Sequence, residues 1–382
     1  NQGEQKSSLY QWHIPESIRA HAQTIDQWLA DITVCDPAVG SGAFPVGMMT
    51  EIVHVRSLLN VYLDHKQTNY QLKRHCIEHC IYGVDIDPGA VEITRLRLWL
   101  SLVVDEEDIT QIKPLPNLDY KIVCGNSLIE FPEEWNSAIT EKIENLQALH
   151  TSETDPTKKN ELKKEIDTLI AQRFEASKNN FGYEINFDFK TFFPAVFRQH
   201  NGFDIVIGNP PYIQLQNAFN GALKYADLYK DQKYKTFDRT GDIYCLFYEK
   251  GLQLLKQSGH LCFITSNKWM RAGYGEKLRS FFTCYNPVLL IDLGPGVFKN
   301  ATVDTNILLI RKEQNGRREL KALTLQKQNG NVNIDEQVKA NAVILAKITK
   351  DAWFIGSDAE QKLKEKIERI GKPLKDWDVK IY

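Results

Sequence analysis

The amino-acid sequence predicts an α/β protein built on a doubly wound, mostly parallel sheet of seven strands. Three observations carry this. Short apolar runs alternate with helix-patterned stretches along most of the chain. The first run, Ile32 to Cys35, passes through a glycine turn straight into a helix. The fourth, Phe203 to Gly208, runs into Asn209-Pro210-Pro211-Tyr212, where two prolines stop any sheet ladder and force a sharp turn.

The elements follow in order. Asp36-Pro37-Ala38-Val39-Gly40-Ser41-Gly42-Ala43-Phe44 closes the first strand and opens a helix near Pro45. Ile81 to Asp87 reads as a second strand ending in two acids, with a Leu-, Arg- and Trp-rich helix over 90–103. Tyr120 to Cys124 is a third strand, ending at Gly125-Asn126-Ser127-Leu128. After Phe203 to Gly208, a helix over 244–256 leads into a strand over 259–265, and strands over 288–293 and 305–311 complete the seven. Residues 131–180 interrupt this alternation. Trp135, Ile139, Ile143, Leu146 and Leu149, then Leu162, Ile166, Leu169 and Phe174, recur at helical spacing on either side of Pro156. They predict an inserted antiparallel helical hairpin without chemistry of its own. Beyond Arg311 come a turn at Gln314 to Arg318, a strand-like stretch over 320–325 and a charged helix over 359–370. The opening Asn1 and the strand-like ending Lys380-Ile381-Tyr382 suggest a piece of a longer protein.

Composition narrows the class. With 382 residues, 42% hydrophobic and 25% charged, the chain is sized and balanced like a soluble domain with an appendage, or two domains. No apolar run reaches bilayer length and no signal peptide is visible. Seven cysteines in mostly apolar segments suggest reduced thiols and a cytoplasmic location. A net charge of −2 does not advertise nucleic acid, so any DNA contact needs localised positive charge.

Chemistry concentrates at strand ends, where open α/β sheets bind ligands. The glycine turn departs from the dinucleotide pattern: Gly40 and Gly42 have its first spacing, but position 45 is proline. Asp36 would repel a phosphate and attract an ammonium, which fits S-adenosylmethionine. The cofactor candidates are therefore Asp36, Pro37, Ala38, Gly40, Ser41, Gly42 and Phe44, with Asp85 and Ile86 for the ribose, and Asn126, Ser127 and Leu128 near the adenine. At the fourth strand end, Asn209 and the Pro210 carbonyl could accept both N–H bonds of a planar NH2 group, with Pro211 shaping the turn and Tyr212 stacked on the ring. Phe298, between the last two strands, packs into the core or supplies a second stacking face. Residues 213–242 interleave Lys224, Tyr225, Tyr229, Lys230, Lys233, Tyr234, Lys235 and Arg239, as a loop over distorted DNA would, or as a solvated loop would. His75-Cys76 and His79-Cys80 could form half a zinc site, but no second cluster completes it, so no metal is expected.

Taken together and in this order, the loop 36–44, Asp85, Asn126, Asn209 to Tyr212, Gly241-Asp242-Ile243-Tyr244 and Phe298 with Thr302 to Thr305 resemble γ-class N6-adenine DNA methyltransferases, and among them the type IIG restriction–modification and phage-exclusion proteins. The resemblance covers roughly residues 30 to 312 apart from the helical insertion. It implies a Rossmann-like S-adenosylmethionine-dependent fold and methyl transfer to an adenine flipped out of double-stranded DNA. It implies a catalytic domain over 1–312, with a substrate loop at 213–242, and over 313–382 a linker and the start of a target-recognition domain. The family commonly has an acid where Asn126 lies, and two larger departures stand out: Ile14-Pro15-Glu16 is a poor match to the family's upstream cofactor segment, and only the first few dozen residues of a target-recognition domain could be present. Weak cofactor binding and inefficient methylation of duplex DNA by this chain alone are expected in consequence. The rivals are enzymes sharing the Asn-Pro-Pro-Tyr turn, which methylate protein glutamine or RNA guanine N2, and a non-catalytic DNA-recognition subunit.

Overall fold

Strand residues alternate between two hydrophobic clusters. Val34, Ile81 and Ile122 belong to one, and their neighbours Cys35, Tyr82 and Val123 to the other. Successive side chains of a strand point to opposite faces, so the sheet is buried on both sides. The computed structural model describes residues 14–104, 118–131, 137–153, 155–181, 185–220, 223–298, 303–313, 319–325, 333–345 and 348–372. Trp135, the 314–318 turn, residues 299–302 and the C-terminal 380–382 lie outside these.

In chain order the strands are β1 (Val34–Asp36), β2 (Ile81–Asp85), β3 (Ile122–Cys124), β4 (Phe203–Gly208), β5 (Phe219–Asn220), β6 (Leu223–Lys224), β7 (Leu255–Ser266), β8 (Asn286–Gly294), β9 (Thr305–Arg311), β10 (Leu320–Thr324) and β11 (Val343–Leu345). Nine of them form one sheet in the order β11-β10-β8-β9-β7-β4-β1-β2-β3, and β5 and β6 pair separately as a small ribbon. The expected strand number is corrected: among the described residues the sheet has nine strands, not seven, and it is mixed, with five parallel and three antiparallel pairings, so it remains mostly parallel. β9 runs antiparallel to both β7 and β8, because the connection from Gly294 to Thr305 is too short for a parallel crossover. The stretch near 320 is not outside the sheet: β10 pairs parallel with β8, and β11 pairs antiparallel with β10. Leu320, Ala322, Leu345 and Trp353 join the larger core cluster, so the core continues past residue 312.

The strand order positions the site. From β1 the chain builds outward through β2 and β3, then crosses to β4 on the other side of β1. The point of reversal lies between β1 and β4, and the crevice beyond their C-terminal ends is where ligands of such sheets bind. Helices Ser137–Ser152 and Pro156–Phe181 occupy the expected insertion, and Lys142 and Glu165 pair between them. Phe174 from the second helix stacks on Phe131 and Phe192, and Phe187, Phe189 and Phe193 continue the aromatic layer to Phe203 on β4.

Candidate active site

The loop after β1 is shaped by its glycines. Gly42 caps helix Ala43–Leu59 at φ +81°, and a Cβ there would also lie 2.8 Å from the Thr94 methyl, so only glycine fits without strain. Thr94 donates from Oγ1 to the Gly40 carbonyl at 2.8 Å, and Arg97 donates to the Ser41 carbonyl at 2.9 Å. Val39 N–H bonds the Val84 carbonyl at 2.9 Å. The helix Pro88–Val103 thus clamps the loop from behind, a role the sequence pattern did not reveal.

Asp36 is buried at 1% exposure, with Oδ1 accepting from the Ala38 N–H at 3.0 Å. Its Oδ2 has no hydrogen-bond partner among the described residues. Burial raises its pKa to about 8, and the nearby Asp85 charge pushes the same way, against the Ala38 hydrogen bond. Asp85 accepts from Gly40 N–H on Oδ2 at 2.7 Å and from Asp87 N–H on Oδ1 at 2.9 Å. The second acid of the strand end, Asp87, caps helix Pro88–Val103 by accepting from Gly89 N–H at 2.8 Å. Ile86 is exposed beside Asp85, and Phe44 is partly buried in the first turn of its helix.

After β3, Ser127 Oγ donates to the Pro37 carbonyl at 2.7 Å, tying the third strand end to the glycine loop. Asn126 Oδ1 accepts from Leu128 N–H at 3.0 Å, and Nδ2 donates to the Tyr229 hydroxyl at 3.0 Å. Leu128 itself is buried, and its carbonyl accepts from the Tyr234 hydroxyl at 3.0 Å.

β4 brings Asn209 to the same crevice. A Cβ on Gly208 would sit 2.5 Å from Asp36 Oδ1, so the absence of a side chain lets the two strand ends approach. Tyr212 donates to Asn209 Oδ1 at 2.8 Å, which orients the amide, and its hydroxyl also reaches the Ile264 carbonyl at 3.4 Å. Burial raises the Tyr212 pKa, so the hydroxyl stays a donor. Pro210 is buried and Pro211 partly so. The Tyr212 ring meets Tyr244 edge-on at 6.0 Å; Tyr244 hydrogen-bonds Tyr274 at 2.7 Å, and Tyr274 donates to the buried Asp242 at 3.0 Å. Tyr274 carried no motif to mark it. Phe298 is partly buried, and among the described residues Tyr212's ring partner is Tyr244, not Phe298.

Among its described residues, the 213–242 segment is neither a solvated loop nor a row of exposed rings. Gln214 bridges to Asp242 at the base, where Leu215 N–H donates to the Gly241 carbonyl and Ile243 N–H to the Ile213 carbonyl, both at 2.9 Å. Tyr229 is 2% exposed and Tyr234 partly buried, both turned toward 126–128, while Lys230, Lys233, Lys235 and Arg239 point to solvent. A residue every few positions must face the core in a segment that folds onto it, and here these are the tyrosines. Cys76 and Cys80 are buried thiols, and no group of metal ligands is found among the described residues. Nor is any helix among them long and apolar enough to cross a membrane.

Comparison with known proteins identifies the family. The profile of the Eco57I restriction-modification methylase family matches residues 79–298. The chain is similar to RM.Eco57I of Escherichia coli, a type II restriction enzyme and methyltransferase, at 29% identity over 296 residues, covering 73% of this chain and 24% of that protein. It is similar to the adenine-specific methyltransferase PglX of Lacticaseibacillus casei at 20% identity over 354 residues, covering 82% of this chain and 27% of PglX. It therefore spans about a quarter of the length of these relatives. In fold it resembles the Type ISP restriction-modification enzyme LlaGI, with TM-score 0.52 and 15% identity over 90% of this chain and 27% of that one. The Type IIL enzyme MmeI is alike in fold, with TM-score 0.52 and 13% identity over 90% of this chain and 38% of that one. With more than half of its 382 residues in the matched stretch, this chain belongs to the Eco57I restriction-modification methylase family.

Proposed function

We propose that the chain is the methyltransferase part of a site-specific DNA adenine-N6 methyltransferase, cytoplasmic and belonging to a restriction–modification or phage-defence protein. The observation that carries this is the Asn209 amide oxygen, oriented by Tyr212 at the end of β4 and set across Gly208 from a buried Asp36. The names of RM.Eco57I and PglX, and the DNA complexes of LlaGI and MmeI, support the same reading.

The residues fit S-adenosylmethionine. A buried carboxylate with one unpartnered oxygen suits an ammonium and would oppose a phosphate. Asp36 would hold the ammonium, with Pro37, Ala38, Gly40, Ser41, Gly42 and Phe44 forming the wall, Asp85 with Ile86 at the ribose, and Asn126, Ser127 and Leu128 at the adenine. When bound, the cofactor supplies an electrophilic sulfonium methyl.

The target amine is a poor nucleophile, because its lone pair is delocalised into the ring. Asn209 Oδ1 and the Pro210 carbonyl accept its two N–H bonds and draw the nitrogen toward sp3 geometry. Pro211 fixes the turn, Tyr212 stacks on the base, and Phe298 lends a second face. Positioning and oriented dipoles then supply the rate. An adenine stacked in duplex cannot reach Asn209, so it must flip out, at a cost of a few kcal/mol that stacking partly offsets.

The test offers labelled S-adenosylmethionine with DNA, RNA and protein to wild type and Asn209→Ala. Label in DNA that disappears in the variant supports the reading. Label in glutamine or RNA guanine selects the rival enzymes, and DNA binding without transfer selects a recognition subunit.

A further inference from the structure

The 213–242 segment reaches back to the cofactor side of the crevice through two hydroxyls, that of Tyr234 on the Leu128 carbonyl and that of Tyr229 on the Asn126 side chain. Tyr229, on helix Tyr225–Lys230, is buried, and its hydroxyl meets the Asn126 amide: Nδ2 donates to it at 3.0 Å, and Oδ1 lies 3.4 Å away. The other arm of the amide is held by the Leu128 N–H on Oδ1 at 3.0 Å. The Tyr225 ring packs edge-on against Tyr229 at 5.8 Å and backs it. Burial raises the Tyr229 pKa to about 12, so the hydroxyl remains protonated and can both accept and donate.

We propose that Tyr229 is a positioning residue that pins the Asn126 amide so that its oxygen faces the 6-amino group of the cofactor's adenine. An asparagine amide has two unlike arms, one accepting and one donating. Adenine offers an amino donor at position 6, whereas hypoxanthine offers an oxo acceptor there. An amide free to swing or turn over serves both rings; an amide held at both arms serves one. The Leu128 N–H decides which arm is the oxygen, and Tyr229 keeps the amide from leaving that plane. A carboxylate at 126 would present oxygen on either arm and would need no such pin. The substrate segment thereby becomes part of the cofactor site. Adenine seated on Asn126 also steadies the helix that carries Lys230.

The inference rests on the reading of the crevice as an S-adenosylmethionine site, and the experiment separates the two. Calorimetry compares S-adenosylhomocysteine with its 6-oxo analogue, S-inosylhomocysteine, on wild type, Tyr229→Phe, Asn126→Asp and the double variant, with thermal unfolding run alongside. Wild type is expected to prefer the adenosyl form. Tyr229→Phe should lose about tenfold of that preference, and Asn126→Asp in the same chain should restore it. A merely structural Tyr229 would lower affinity for both ligands equally and would not be rescued. An unchanged preference in Tyr229→Phe, or no rescue in the double variant, overturns the role of Tyr229. Failure of wild type to bind either ligand overturns the cofactor reading itself, and the inference with it.

Discussion

Asp36→Asn should make the ligand-free protein more stable and its cofactor site weaker. The folded chain holds the Asp36 pKa at about 8, against 3.8 for the reference carboxyl. Between these values the folded state keeps a proton that the unfolded chain releases, so stability falls as pH rises from about 4 toward 8 and levels off above. At about 1.4 kcal/mol per pKa unit, wild type loses up to about 4 kcal/mol between pH 5 and pH 8 through this one group. Asparagine has the same shape, keeps an oxygen for the Ala38 N–H and has no proton to release. The variant should match wild type most closely at pH 5 and exceed it by a few kcal/mol at pH 8. Its affinity for S-adenosylmethionine should drop at least about tenfold, since a charge-assisted hydrogen bond becomes a neutral one. Urea unfolding at the two pH values, with calorimetry at pH 8, measures both. An Asp36→Asn protein less stable than wild type at pH 8, or one that binds the cofactor as well, would refute the reasoning.

Further outcomes follow from the same geometry. Wild-type cofactor affinity should rise roughly tenfold from pH 6 to pH 7 and flatten near pH 8, with close to one proton released per binding event at pH 7, because an ionised Asp36 is the binding form; calorimetry in buffers of different ionisation heat reads this, and a flat profile contradicts it. Asp85→Ala should weaken cofactor binding and loosen the glycine loop, since Gly40 N–H loses its acceptor; tight binding unaffected by the change, or strong NAD binding, would defeat the assignment. Gly42→Ala should cost about 1–3 kcal/mol in urea unfolding, because φ +81° and Thr94 both oppose a side chain; a neutral substitution would mean the loop relaxes freely. Asn209→Ala should lower kcat by about a hundredfold or more while leaving cofactor affinity largely intact, and substantial residual turnover would remove Asn209 from its role.

Much of this arrangement was legible because its signals are local. The doubled proline after Phe203 to Gly208 ends a strand whatever surrounds it, and β4 runs over those residues. The helix after Gly42 and the acid at the end of β2 lie where the turn pattern puts them. What was not legible depends on partners far apart in sequence. Nothing near Leu320 says that it will pair with β8 rather than begin another unit; that choice belongs to the open edge of the sheet. The tyrosines of 213–242 interleave with lysines, as rings over DNA would, yet Tyr229 and Tyr234 turn inward, because the hydrogen-bond partners they find at Asn126 and Leu128 lie about a hundred residues earlier. Tyr274 became visible only through its contacts with Tyr244 and Asp242.

The central claim is that the crevice between β1 and β4 transfers a methyl group to adenine N6. Its most direct test is single-turnover incubation of the chain, in excess, with labelled S-adenosylmethionine and long unmethylated mixed-sequence duplex DNA, followed by digestion to nucleosides and mass spectrometry. Excess protein offsets the weak grip expected from a net charge of −2. The account predicts label in N6-methyladenine, slow but site-restricted, and none above background with Asn209→Ala. Label in methylcytosine, or N6-methyladenine formed equally well by Asn209→Ala, would contradict it.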